Sequence, residues 1–125
     1  MKVLVVDDEV IVARALTRAF ESKGHEVTVA HTGEEGLEKW IETMPDAIIL
    51  DVVMPGLTGP QVIEEYRKRK GKDVHSTRVV LMTAHSGIKG RGPALELGAD
   101  DFIQKPFENI FMLVTQIEKL VGTLQ

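Results

Sequence analysis

The sequence predicts an α/β fold, a parallel sheet wound on both faces by helices. Five short β-rich apolar runs each lead into a longer stretch, the rhythm of consecutive β-then-α units. The runs are nearly continuous in apolar residues rather than alternating, as expected of strands buried on both sides. The 125 residues suit one domain, and an apolar fraction of 43% is enough to fill its core.

The elements follow in order. Val3 to Val6 reads as a strand that stops abruptly at Asp7-Asp8-Glu9. Val12, Ala15, Leu16, Ala19 and Phe20 then recur at helical spacing, and Gly24 ends that helix. Val27 to Ala30 is the second strand. Thr32 or Gly33 caps the next helix, whose apolar side carries Leu37, Trp40 and Ile41. After Pro45, Ala47 to Leu50 reads as a buried strand. Thr58-Gly59-Pro60-Gln61 has capping-box spacing with proline in the first turn, and opens a helix carrying Val62, Ile63 and Tyr66. Val79 to Met82 is the fourth strand. In Ser86 to Pro93, each interior Gly costs ~1 kcal/mol relative to Ala and Pro ~3 kcal/mol, which predicts a loop. The fourth helix is then shortened to about Pro93–Leu97, with Pro93 in its first turn and Gly98 after it. Phe102 and Ile103 mark the fifth strand. The last helix shows Ile110, Leu113, Val114, Ile117, Leu120 and Val121, with Phe111 and Met112 beside that stripe. Those two are either core residues of a wide apolar face or part of a partner surface.

Composition excludes several classes. A net charge of −4 disfavours bulk nucleic-acid binding, and the absence of cysteine removes disulfides and thiolate chemistry. The apolar run before Asp7 is too short for a signal peptide or a spanning helix, so a soluble cytoplasmic protein is expected.

In doubly wound sheets ligands bind beyond the carboxyl ends of the strands. Asp7, Asp8, Asp51, Thr83 and Lys105 each follow a predicted strand closely, so four strands aim polar groups at one rim. One such Asp is often only a cap or turn residue, but coincidence explains the whole set poorly. Three carboxylates brought together raise each other's pKa and need a cation. Oxygen ligands without His or Cys suit a hard ion, Mg²⁺ before Zn²⁺. The Lys105 ammonium and the Thr83 hydroxyl suit phosphoryl oxygens. A carboxylate nucleophile, a metal, an ammonium and a hydroxyl together describe phosphoryl transfer to an aspartate.

Val5-Val6-Asp7-Asp8-Glu9, Asp51-Val52-Val53-Met54-Pro55-Gly56, Thr83-Ala84, Gly98-Ala99-Asp100-Asp101-Phe102 and Lys105-Pro106-Phe107 resemble the motifs of the receiver domain of two-component response regulators. The layout is most similar to the single-domain CheY-like group, and the resemblance covers essentially all 125 residues as one receiver domain, with no output domain expected. It implies a flavodoxin-like sheet of order 2-1-3-4-5. It also implies a signalling domain rather than an enzyme, one that assists its own phosphorylation and dephosphorylation. Asp51 is then the phosphoacceptor, and Asp7, Asp8, Asp51 and the Val53 backbone carbonyl hold Mg²⁺, with Mn²⁺ as an alternative. Lys105 and Thr83 meet the phosphoryl group, Thr83 and Phe102 act as the switch, and a cis peptide precedes Pro106. The implied donor is a phosphohistidine on a sensor histidine kinase or phosphotransfer protein. The implied output is a protein contact through the fourth helix, fifth strand and fifth helix, by a monomer or a phosphorylation-dependent dimer.

Some positions depart from the family pattern. Thr58 replaces a usual Asp, and both are good caps. Pro60 is less common but fits a first helical turn. Phe102 lacks the hydroxyl of the frequent Tyr. Val53 stands where a side chain beside the phosphoryl group tunes hydrolysis. His25, His31, His75 and His85 show no ligand spacing, and only His85, two residues after Thr83, is expected near the site as a modulator. The basic run Arg67 to Lys72 is offset by Glu64 and Glu65 at i,i+4 spacing, a solvated helix face. A phosphatase working through an aspartyl phosphate needs an acid two residues after the nucleophile, where Val53 stands. A flavin carrier needs a neutral hydroxyl-rich loop where Asp7-Asp8-Glu9 stands. A metal-free interaction module is the third alternative.

Overall fold

The computed structural model describes residues 1–70, 77–84 and 91–122. The elements are β1 (Lys2–Val6), α1 (Val10–Glu21), β2 (Glu26–Ala30), α2 (Gly33–Thr43), β3 (Ala47–Asp51), α3 (Gly59–Lys70), β4 (Arg78–Thr83), α4 (Arg91–Glu96), β5 (Asp101–Gln104) and α5 (Ile110–Gly122). All strand pairs are parallel, and the sheet order is β2-β1-β3-β4-β5, the order the resemblance implies.

Strand side chains point alternately to the two faces, so one sheet serves two cores. Leu4, Val6, Ile48, Leu50 and Leu81 face α2 and α3, where they meet Leu37, Trp40, Val62, Ile63 and Tyr66. Trp40 and Tyr66 stack at 3.8 Å between ring centroids with 9° between planes. Val3, Val5, Ile49, Val80 and Met82 face α1 and α5, where they meet Ala13, Leu16, Phe20, Leu113, Val114 and Ile117. The three interior strands β1, β3 and β4 are thus gripped from both sides.

The caps follow the sequence. Thr32 Oγ1 accepts the Glu35 N–H at 3.1 Å, which settles Thr32 rather than Gly33 as the cap of α2. At α3 the Thr58 N–H donates to Gln61 Oε1 at 2.9 Å and the Gln61 N–H to Thr58 Oγ1 at 3.3 Å, a reciprocal capping box. The Lys105–Pro106 bond is cis.

Two expectations shift, in α1 and α4, and one open alternative, in α5, is decided. In α1 the buried stripe runs through Ala13, Leu16, Ala19 and Phe20, while Ala15 is exposed. The apolar stripe therefore starts one residue later than the spacing read from Val12 implies. In α4 the six described residues include Arg91 and Gly92, placed in the loop by composition, with Pro93 third. First-turn N–H groups have no partner inside a helix, so proline there costs no hydrogen bond. The rest of the predicted loop, residues 86–90, lies outside the described residues. In α5, Phe111 is 53% and Met112 70% exposed, so neither belongs to the core. Among the described residues no helix is long and apolar enough to cross a membrane.

Gly59, the first residue of α3, seats that helix on the end of β3. A Cβ there would lie 2.6 Å from the Asp51 carbonyl oxygen, a backbone atom that cannot swing aside. Gly59→Ala is expected to destabilise the protein by about 1–3 kcal/mol, as overpacking does. Urea denaturation of the variant beside wild type measures this directly.

Candidate functional site

The sheet order reverses between β1 and β3, and the carboxyl ends of these neighbouring strands carry the acidic residues. Asp7 directly follows β1 and Asp51 closes β3. Backbone bonds fix both positions. The Asp7 N–H donates to the Ala30 carbonyl at 3.0 Å, and the Val52 N–H to the Met82 carbonyl at 3.0 Å. On the far side, the Lys105 N–H donates to the Thr83 carbonyl at 3.0 Å, tying the ends of β4 and β5 together.

The side chains converge on one ammonium. Lys105 Nζ lies 2.8 Å from Asp7 Oδ2, 2.7 Å from Glu9 Oε1 and 3.1 Å from Asp51 Oδ2. Asp7, Asp51, Thr83 and Lys105 are all buried, whereas Asp8 and Glu9 face solvent. Burial alone would drive the proton off Lys105. The close contacts with Asp7 and Glu9 and the charge of Asp51 outweigh it and hold the lysine above its ordinary value. Asp51 behaves in the opposite sense. Burial first, and Asp7 second, raise its carboxyl to about 6, although Lys105 pulls it down.

The Asp7 carboxylate is used unevenly. Its Oδ1 accepts the Glu9 N–H at 2.9 Å, while Oδ2 is buried beside Lys105 without a directed hydrogen bond. Asp51 Oδ1 takes only a long contact of 3.4 Å from the Val53 N–H. One oxygen from each of Asp7, Asp8 and Asp51 lies within 4.8 Å of the others. Hard oxygens at this spacing, one lacking a directed partner, fit an Mg²⁺-like ion in kind and number.

The remaining predicted residues fall as follows. Val53 follows Asp51 by two residues with its side chain 56% exposed. Phe102 is half-buried against the core on the α2–α3 face and pairs in register with Leu81, two residues before Thr83. His85 lies outside the described residues. His31 corrects the expectation that only His85 is near the site, because its Nδ1 sits 3.0 Å from the Asp7 carbonyl oxygen. Glu9 was visible only as part of an acidic run, and its contact with Lys105, 96 positions away in sequence, was not foreseen. The loop after β3 is tied to α2 by Glu34, whose Oε1 accepts the Leu57 N–H at 2.6 Å.

Comparison with known proteins agrees with this architecture. The profile of the response regulator receiver domain matches residues 3–118. The chain is 39% identical over 106 residues to the uncharacterized transcriptional regulatory protein YkoG of Bacillus subtilis, covering 85% of this chain and 45% of that protein. It is 38% identical over 107 residues to the response regulator MprA of Mycobacterium avium, covering 86% and 45%. The chain therefore spans about half the length of these relatives. Among solved structures, the receiver domain of the Francisella response regulator 1452 superposes with a TM-score of 0.85 at 30% identity, covering 99% and 98% of the two chains. The response regulator TrrA of Thermotoga maritima, solved in complex with Mg²⁺ and beryllium fluoride, gives 0.78 at 35% identity, covering 95% and 97%.

The raised carboxyl of Asp51 has a consequence for stability. Its folded value of about 6 exceeds the ordinary 3.8, so the folded protein binds this proton more tightly than the unfolded chain. Ionising Asp51 therefore destabilises the metal-free fold as pH rises between those two values, and the cost persists above about 6. Asp51→Asn is expected to be more stable than wild type by about 1–3 kcal/mol at neutral pH in a divalent chelator, with the gain vanishing below about pH 4. Thermal denaturation across that pH range measures it, and a pH-independent difference would contradict it.

Proposed function

The chain belongs to the response regulator receiver domain family, and from that membership we propose that it is the phosphoacceptor of a two-component phosphorelay. The phosphoryl group comes from a phosphohistidine of a sensor kinase or phosphotransfer protein. One observation carries the assignment of Asp51: it is a buried carboxylate in contact with a buried ammonium, with Asp7 and Asp8 beside it.

The Asp51 carboxylate attacks phosphorus, the bond to the donor imidazole nitrogen breaks, and the imidazole leaves with the bond's electron pair. Lys105 exchanges its contact with the carboxylate for a phosphoryl oxygen, and the Thr83 hydroxyl donates to another. Asp7, Asp8, Asp51 and the Val53 carbonyl would hold Mg²⁺, or Mn²⁺ in its place. That ion supplies neutralisation of the charge on the transferring group. Val53 offers no acid or base for returning the phosphoryl group to water, so the product persists as a signal rather than turning over as in a phosphatase.

The message then passes outward. Thr83 moves toward the phosphoryl group and Phe102 follows it inward, with His85 as a modulator. The receiving surface is the face of α4, β5 and α5. A groove of about 770 Å³ lies along β5 and α5, lined in part by Phe102, Phe107, Met112 and Leu113, with exposed Met112 on its wall. The downstream partner is a protein or a second phosphorylated copy, met in the cytoplasm.

With acetyl phosphate and Mg²⁺, Asp51→Asn is expected to take up no phosphate while keeping its fold. Full labelling of that variant elsewhere would remove Asp51 from the role. Asp8→Ala is expected to bind Mg²⁺ more weakly in calorimetry, because one hard ligand is lost.

Lifetime tests the neighbour of Asp51. An exposed branched apolar side chain cannot orient an attacking water. Val53→Asn is therefore expected to shorten the lifetime of the phosphorylated state, followed by phosphate release. No acceleration would show that Val53 does not limit hydrolysis.

A further inference from the structure

Of the three carboxylates around Lys105, Glu9 is the one that the metal assignment leaves without a task. Asp7 and Asp51 belong to the group of oxygens close enough to share an ion, together with Asp8. Among the described residues, Glu9 is not a member of that group. Nor does it serve its own helix. Glu9 is the N-cap residue of α1, where a side-chain oxygen ordinarily accepts an N–H of the first turn, yet it makes no such bond. It reaches instead to Lys105. The Glu9 side chain is 58% exposed and the Lys105 side chain only 8%, yet their contact of 2.7 Å is the shortest of the three.

Charge balance gives this contact a purpose. Asp7, Asp8 and Asp51 carry three negative charges, and a divalent ion in their midst would cancel two of them. Asp7 and Asp51 would then turn electron density toward that ion and away from Lys105. The ammonium would stand beside a second cation with two weakened acceptors. Glu9, outside the acidic cluster, keeps its full charge for the lysine. We propose that Glu9 is a positioning residue that holds the Lys105 ammonium beside Asp51 when a divalent cation occupies the cluster. The role rests on the metal-dependent function proposed above. Because Glu9 approaches from the solvent side, Lys105 can leave it for a phosphoryl oxygen without uncovering a buried charge.

The full chain of wild type and of Glu9→Gln distinguishes the outcomes. The substitution preserves shape and falls at an exposed position, so folding is retained. Side-chain nitrogen NMR follows the Lys105 ammonium, whose protons are observable only while they are held against exchange. Without divalent ions the signal is expected in both proteins, since Asp7 and Asp51 hold the ammonium in each. At saturating Mg²⁺ it is expected to persist in wild type and to be lost in the variant. Persistence in the variant at saturating Mg²⁺ would overturn the role of Glu9. Loss in the variant even without Mg²⁺ would also overturn it, because Glu9 would then be a general anchor with no link to the ion. Parallel calorimetry separates the premises. If wild type takes up no Mg²⁺, the metal assignment falls and the Glu9 role with it. If Mg²⁺ binds and the variant's signal is unchanged, only the Glu9 role falls.

Discussion

One ammonium set among carboxylates at the end of the sheet organises this molecule's chemistry. Lys105 contacts Asp7, Glu9 and Asp51 within 3.1 Å. Acidic groups this close repel each other strongly in a medium less polarisable than water, and the lysine makes their approach tolerable. It does not complete the balance. Asp51 remains harder to ionise than a free carboxyl, and Asp7 Oδ2 lacks a directed hydrogen bond. Burial is the first cause of the Asp51 shift and the Asp7 charge the second.

The hydrophobic layers make such a cluster affordable. β1 and β3 are covered on both faces, so the residues that follow them emerge at fixed points on one rim. Their position does not depend on their own interactions. Further ties fix the loops that complete the site. Gly59 sets α3 directly on the Asp51 carbonyl, and Glu34 holds the loop after β3 through the Leu57 N–H. The backbone bond between Lys105 and Thr83 ties the ends of β4 and β5 together. β5 is the edge strand of the sheet, and exposed Met112 of α5 lies along it.

Much of this was legible in the residues themselves. Strand and helix order follows from apolar runs and helical spacing, because burial on both faces demands continuous apolarity in the strands. Thr58 and Gln61 announced their capping box by spacing alone, and the polar residues at the strand ends indicated the rim where Asp7, Asp51, Thr83 and Lys105 lie. Where local pattern allowed two answers it misled or stayed silent. Ala13 and Ala15 are equivalent as letters, and only the seat of α1 on β1 selects Ala13 for the core. Phe111 and Met112 are as apolar as Leu113 and Val114, and only the rotation of α5 against the sheet leaves the first pair outside.

The sequence by itself determined which groups are available and at which strand ends they stand, since those follow from periodicity and chemical type. Tertiary structure decided how they pair. Glu9 and Lys105 are 96 positions apart, and His31 reaches the Asp7 carbonyl from the end of a different strand. Such contacts depend on the register and twist of the whole sheet. They are set by the packing of the two cores, and no local pattern in the chain records them.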